Sequence, residues 1–546
     1  MRSHLIAVVV TAMGCGETPT GPFAALPLDA RLEIDGLDGV VHVARDRFGI
    51  AHVHATTPGD LGYAQGYVMA HDRLPQMELL RRYASGTLAE IYGNDDAVVA
   101  ADIAMRFHRM RKFAVDTWNE LQVSEVDADL VENLTQFAAG VNAYVDHAVA
   151  GRWPVDPQAT DSGVFLLFSP AQFERWTPVD SIVIMRFFTF AQSWTVPEEL
   201  AFDELDVRVR AVAPELANDL LAFAPIEPQQ PRAASPPDTP NRPAVPAELL
   251  TSARAFFALP TASDRSRALL PNAFLRPALG SSAFVVGLNY TGEQLETAKA
   301  ILAADMHGLL SNPSLFYPMH QILETEPGFY ERDVLGLLLP GCPVAVAGTN
   351  GAIGWAPTLG THDLNDVYLE TLVQGGTASL HGGVAEPLAS FSEEIRIGEY
   401  GIITGSRTQT YELVPRHGPV IPNHPPDAAL SIRYQGYAAT RELSTLWHLG
   451  GFLTRTVDEA QSWLRGMQHG PSYLLVDLQG ASAWTTFADV PDRPAAARRW
   501  TPELAGGAAP FFVLDGTNPD HEWAAAPMDR DQLPIVFGFE GAIVVA

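Results

Sequence analysis

Apolar and polar positions alternate in two short runs, Val40–Ala44 and Ile50–Ala55, within the stretch VVHVARDRFGIAHVHA. A period of two is that of a half-buried strand. Arg45-Asp46-Arg47-Phe48-Gly49 between them reads as a hairpin turn closed by glycine. The period then lengthens: DLGYAQGYVMAHDRLPQMELLRRYASGTLAEIYG predicts a long amphipathic helix, capped by Asp60 and interrupted at Pro75. Helical patterning returns over 126–150 and 179–209. Residues 226–248, IEPQQPRAASPPDTPNRPAVPAE, hold too much proline for a packed element. A short helical piece, Leu249–Leu259, leads towards Gly280-Ser281, where the chain switches abruptly from loop to buried strand. Strand patterning then dominates: Ala283–Val286, Ala300–Ala304, Val344–Val346, Val367–Leu372, Glu394–Ile397, Thr408–Val414, Leu430–Tyr434, Tyr473–Asp477 and Ala483–Phe487. A helix-rich front and a strand-rich back predict an α+β fold.

Composition narrows the function classes. The 546 residues carry 64 acidic against 35 basic side chains, a net charge of −29. Such a surface repels phosphate backbones, which removes nucleic acid as a partner. With 47% apolar and 18% charged residues, a sizeable core is available. At the amino terminus, Arg2 precedes the apolar run Leu5–Val10 and a few small residues, which reads as an export signal over 1–15 followed by a tether over 16–34. The run is too short to cross a bilayer, which takes about 20 residues. Ala12-Met13-Gly14-Cys15 resembles a bacterial lipobox, implying a lipid anchor at Cys15 and a periplasmic or outer-membrane-anchored protein; an ordinary signal with a chance cysteine is the alternative. With Cys15 lipidated, Cys342 has no partner and is expected as a buried apolar thiol.

Several standard signatures are missing: Gly-x-Ser-x-Gly, His-Glu-x-x-His, Cys-x-x-Cys, a P-loop and a Rossmann fingerprint. No organic cofactor is implied, and GTNGAIG (348–354) reads as a turn. His52 and His54 alternate on a strand, which reads as a polar strand face. Ser281 is different. A serine hydroxyl needs a base. If the Gly280–Ser281 bond is cut, the freed α-amine, with a reference pKa of about 7.7–8.0, can take the hydroxyl proton directly or through one water. A small preceding residue and an excisable Pro-rich segment upstream suit such self-cleavage. The other reading is a plain loop-to-strand junction.

The surrounding residues resemble one family. VHVARDRFGIAHVHATTPGDLGYAQGYVMAHDRLPQMELLRRYASGTLAEIYG (41–93), FERWTPVDSIVIMRF (173–187), GSSAFVVG…AILAADMHG (280–308), GTNGAIGWAPTLGTHDLNDVYLE (348–370) and RHGPVI (416–421) are similar to segments of the penicillin acylases, amino-terminal-nucleophile (Ntn) hydrolases. The resemblance implies an αββα sandwich with an α-subunit-like region over 35–225, a spacer over 226–280 and a catalytic β-subunit-like region over 281–546. One precursor would cut itself at Gly280–Ser281 into an αβ heterodimer acting on small N-acyl amides: β-lactam side chains, acyl-homoserine lactones or lipopeptides. Carried over, Ser281 is the nucleophile, His307 hydrogen-bonds its amine and hydroxyl, and Leu359 lends a backbone N–H to the oxyanion hole. A structural Ca²⁺ is implied at Glu199 (Glu198 as alternative), Asp363, Asn365 and Asp366, hard oxygen donors suited to it; a solvated acidic turn is the other reading. Ser282 stands where the family has Asn, and Met306 where it has Pro. The sequence stops at Ala546, where the family continues with an Asn-Asn pair that completes the oxyanion hole. An incomplete β-subunit region is therefore expected, and an unprocessed, inactive lipoprotein fragment of the family is the alternative to an active amidohydrolase.

Overall fold

The computed structural model describes residues 4–9, 30–34, 36–150, 173–213, 245–257, 281–287, 300–307, 312–360, 362–494, 512–537 and 542–545. Cys15, Gly280 and the bulk of the Pro-rich segment lie outside the described residues. An eleven-stranded sheet organises the rest, in the order Ala30–Ile34, His4–Val9, Val41–Arg45, Ala51–Ala55, Tyr317–Glu326, Phe329–Leu338, Ala345–Thr349, Ile353–Thr358, Ser472–Asp477, Ser482–Thr485 and Ile535–Phe537. Front and back of the chain meet inside it, because Ala51–Ala55 runs parallel to Tyr317–Glu326 with His52 opposite His320. The α+β expectation holds, yet the two regions share one sheet.

Alternation along the strands sends side chains to two different cores. Tyr473 and Leu475 face the main core, built with the helices Pro58–Ser85, Ala128–Val149 and Pro178–Ser193. Leu474 and Val476, on the opposite face, pack against Ala283 and Val285. Those two belong to a three-stranded sheet in which Ser281–Gly287 lies between Ala542–Val545 and Ala300–Met306. The layering is helices, large sheet, small sheet. A period of two is what allows one strand to serve both interfaces.

Several expectations need correction. The helix expected to break at Pro75 runs unbroken over Pro58–Ser85. Proline costs it one backbone hydrogen bond, while buried Leu74 and Met77 hold the turns on either side. Its cap is Thr57, whose hydroxyl accepts from Asp60 N at 3.0 Å; Asp60 instead accepts from Asp38 N and Gly39 N at 2.8 and 3.0 Å. Left-handed Gly86 (φ 66°) ends this helix, so Ala89–Tyr92 is a separate short one. The helix expected over 179–209 divides into Pro178–Ser193 and Val196–Val212; Pro197 fits the first turn of the second, where its missing N–H forfeits nothing.

The tether expected over 16–34 ends in a strand, Ala30–Ile34, where Leu32 and Ile34 alternate with Arg31 and Glu33. It pairs with His4–Val9, from the apolar run of the expected export signal. The short helix expected at Leu249–Leu259, within the spacer over 226–280, is found as Ala247–Phe257, and it is packed: Leu249, Leu250 and Ala253 join Val196, Leu200 and Phe107 in a second core. Cys342 is buried and free, as expected.

The helices Pro58–Ser85 and Ala128–Val149 approach closely enough to require glycine. A Cβ on Gly140 would stand 1.9 Å from Tyr63 O, and one on Gly66 2.0 Å from Phe137 O. Gly140→Ala therefore forces the pair apart, and a loss of about 1–3 kcal/mol is expected. Chemical denaturation should show the midpoint falling; an unchanged midpoint would contradict the contact.

Candidate active site

Ser281 is the first residue of its strand and is 9% exposed. Its Oγ accepts a hydrogen bond from the backbone N–H of Leu359 at 2.6 Å, across 78 residues of sequence. The N–H is aimed by its flanks. Strand Ile353–Thr358 ends one residue earlier, and Thr358 Oγ1 lies 2.6 Å from Ser472 Oγ on the adjacent strand. Gly360, one residue later, lies against Gly470–Ser472, where a Cβ would meet Gly470 O at 2.7 Å and Ser472 N at 2.9 Å. Only glycine permits that approach. Among the described residues, no histidine or carboxylate hydrogen-bonds Ser281 Oγ.

His307 does not join this pair. The antiparallel register sets Met306 opposite Ser281. Asp305 and His307 flank Met306 on the other face, and His307 Nε2 lies 3.3 Å from Asp305 Oδ2, with the imidazole 43% exposed. The hydrogen bond to Ser281 that the resemblance implied is not formed among the described residues.

The expected metal ligands come together in part. One ligand oxygen from each of Glu199, Asp363 and Asp366 falls within 4.8 Å of the others, so this trio could hold a metal ion. Glu199 lies buried in the first turn of Val196–Val212, where the helix dipole favours an anion, whereas Glu198 is exposed. Asn365 is not part of the trio: its side-chain amide donates to Glu199 Oε1, and Val367 N donates to Glu199 Oε2 at 3.0 Å. Burial pushes the Glu199 carboxyl well above its ordinary range, and the charges of Asp366 and Asp363 push it further. Burial also lifts Asp363 to about 7, with Arg493 opposing and Asp366 adding to the shift.

Sequence reading missed Arg493. Its guanidinium donates to Asp366 Oδ2 at 2.8 Å and Oδ1 at 3.2 Å, and to the carbonyl oxygens of Asp363 and Asn365. Trp523 Nε1 also donates to Asp366 Oδ2. Fully ionised, the three carboxylates would carry more negative charge than one guanidinium offsets. Asp363 Oδ1 is buried and accepts no hydrogen bond, although Arg493 Nη2 lies 3.1 Å away. Oxygen donors with spare lone pairs fit a hard divalent cation.

A second buried network was also missed. His417 of the RHGPVI segment lies between two carboxylates, with Nδ1 2.5 Å from Glu370 Oε1 and Nε2 2.6 Å from Glu522 Oε1. Tyr368 stacks on its ring at 3.7 Å. Burial lowers the pKa of His417, but the hydrogen bonds to Glu370 and Glu522 outweigh it and leave a net rise.

Comparison with known proteins places the chain. It is 28% identical over 537 residues to the penicillin acylase 2 proenzyme of Pseudomonas sp. (strain SE83), covering 96% of this chain and 60% of that protein. It is also 28% identical over 430 residues to the acyl-homoserine lactone acylase QuiP of Pseudomonas fluorescens (strain Pf0-1), covering 76% of this chain and 46% of that one. A solved thermostable penicillin G acylase from Alcaligenes faecalis aligns with a TM-score of 0.37 at 18% identity, over 48% of this chain and 43% of that one. The chain thus spans about three-fifths of the first of these two curated relatives and about half of the second. A sequence profile of penicillin amidase matches residues 40–546, and the chain belongs to the penicillin amidase family.

Proposed function

We propose that this chain carries the nucleophile of an amidohydrolase that cleaves small N-acyl amides. The observation that carries the reading is the 2.6 Å hydrogen bond from Leu359 N–H to Ser281 Oγ. In this reading, scission of Gly280–Ser281 frees the α-amine and leaves two associated subunits. The amine takes the Oγ proton as Oγ bonds to the amide carbonyl carbon, so no separate side-chain base is needed. The carbonyl oxygen gathers negative charge beside Leu359 N–H, which then donates to it. The α-ammonium passes its proton to the leaving amine as the C–N bond breaks. Water, deprotonated by the same α-amine, then releases the acyl group from Ser281. The relatives' names supply the substrate classes: the side-chain amide of a penicillin and the amide of an acyl-homoserine lactone. Lipopeptide amides share the same chemistry.

Ca²⁺ at Glu199, Asp363 and Asp366 is part of the proposal, in a structural role. It would neutralise the charge that Arg493 leaves, and so clamp helix Val196–Val212 to strand Asn365–Val373.

Three outcomes follow. Intact-mass measurement of purified protein should give two fragments, the second beginning at Ser281, while Ser281→Ala stays one chain without amidase activity. Wild type that remains one chain and hydrolyses no amide would favour the inactive-fragment reading. Gly360→Ala displaces Leu359 N–H and is expected to lower kcat roughly ten- to a hundredfold with KM little changed; full turnover would remove Leu359 from the mechanism. The third outcome concerns pH. Between the ordinary Asp363 value of 3.8 and about 7, the native cluster holds a proton that the unfolded chain has released, so stability falls as pH rises through that window. Calorimetry should therefore find that Ca²⁺ raises Tm over a chelated sample more at about pH 7 than at about pH 4. A Ca²⁺ effect independent of pH would count against the trio.

A further inference from the structure

The outward face of the large sheet carries a row of imidazoles that the amidase reading does not use. The parallel register sets His52 opposite His320, and their Nδ1 atoms face each other at 2.9 Å with the rings inclined at 77°. Each imidazole turns its other nitrogen towards a carboxylate. His320 Nε2 lies 2.6 Å from Asp333 Oδ1 on the next strand, and His52 Nε2 lies 3.9 Å from Asp46 Oδ2. Asp46 is fixed by its turn, since Oδ1 accepts from Phe48 N and Ile50 N. The result is a chain of carboxylate, imidazole, imidazole and carboxylate.

With both rings neutral, Asp333 sets the tautomers. Asp333 can only accept, so His320 carries its proton on Nε2 and offers a lone pair at Nδ1. The 2.9 Å contact then requires His52 to donate from its Nδ1. An imidazole whose second nitrogen is held by a carboxylate is the usual arrangement of a metal-binding histidine. Two Zn–N bonds of about 2.0–2.1 Å at a tetrahedral angle hold their nitrogens about 3.3 Å apart, a few tenths of an ångström wider than here. Small side-chain rotations supply that opening. The two rings are 23% and 21% exposed, so an ion can reach them. Glu324, which pairs with His54 on the same face, adds to the negative field of Asp46 and Asp333.

We infer that His52 and His320 form a binding site for a divalent transition metal of the zinc class, with water completing its shell. The ion takes both Nδ1 lone pairs, and the proton of His52 shifts to Nε2, facing Asp46, so no proton is lost overall. Imidazole nitrogens select such an ion over calcium. The ion would join a strand from before position 281 to one from after it, reinforcing the parallel pair that unites the sheet.

The site stands independently of the amidase proposal. Untagged, chelator-stripped full chain would be titrated with Zn²⁺ by calorimetry in excess Ca²⁺, which occupies oxygen-donor sites. One Zn²⁺ site per chain is expected, lost in His320→Ala and weakened about 10–100-fold in Asp333→Asn. With Cu²⁺ as probe, the electron paramagnetic resonance spectrum should show coupling to two imidazole nitrogens in wild type and not in His320→Ala. Should His320→Ala fail to fold, Asp333→Asn, altered at a half-exposed carboxylate, decides. Wild type that binds no Zn²⁺, or binds it as tightly after Asp333→Asn and with unchanged copper coupling, would overturn the assignment.

Discussion

One constraint governs the candidate site: beneath the small sheet, the large sheet must bury both of its faces at once. Alternating residues of Ser472–Asp477 enter two cores, Tyr473 and Leu475 on the helical side, Leu474 and Val476 beneath the small sheet. Each buried side chain of this size contributes about 1.5–3 kcal/mol relative to exposure, so neither face can be abandoned cheaply. The small sheet is thereby pinned over strand Ile353–Thr358 and its neighbours. Ser281, at the start of that sheet's central strand, is delivered to Leu359, at the end of the strand below. The position of Ser281 is thus a consequence of sheet-on-sheet packing, with glycine at 360 allowing the last close approach.

The same sheet explains how two chain regions can remain one body. Every residue of Ala51–Ala55 pairs in parallel with Met319–Leu323, and the helices from the front of the chain cover strands from both regions. A cut just before Ser281 would leave this pairing untouched. Elsewhere the joins are electrostatic. Arg493 bridges Asp363 and Asp366, and Glu199 reaches the same strand from its helix through Asn365 and Val367.

Much of this was legible in local pattern. Period-two runs located the strands at 41–45 and 51–55, β-rich runs located those at 281–287 and 472–477, and the abrupt switch at Ser281 marked where the strand begins. What escaped was non-local or hidden by local rules. Pro75 signals a break, but tertiary packing on both sides overrides one lost hydrogen bond. The hairpin Tyr317–Glu326 and Phe329–Leu338 carries bulges at Leu323/Glu324 and Glu324/Glu326 that interrupt its alternation. Arg493 lies in a proline- and alanine-rich loop with no periodicity to mark it. His52 met His320 only through a parallel pairing across 268 residues, which no spacing in the sequence encodes. Asn365 looked like a ligand by its place among Asp363 and Asp366, yet its amide braces Glu199 instead.

The central claim is that Ser281 Oγ is the attacking atom and that its own α-amine activates it. Covalent labelling addresses it directly. Phenylmethanesulfonyl fluoride should abolish amidase activity with one equivalent incorporated, and peptide mass mapping should find that adduct on a fragment whose first residue is Ser281. An adduct on any other residue, or hydrolysis that survives complete labelling of Ser281, would contradict the claim.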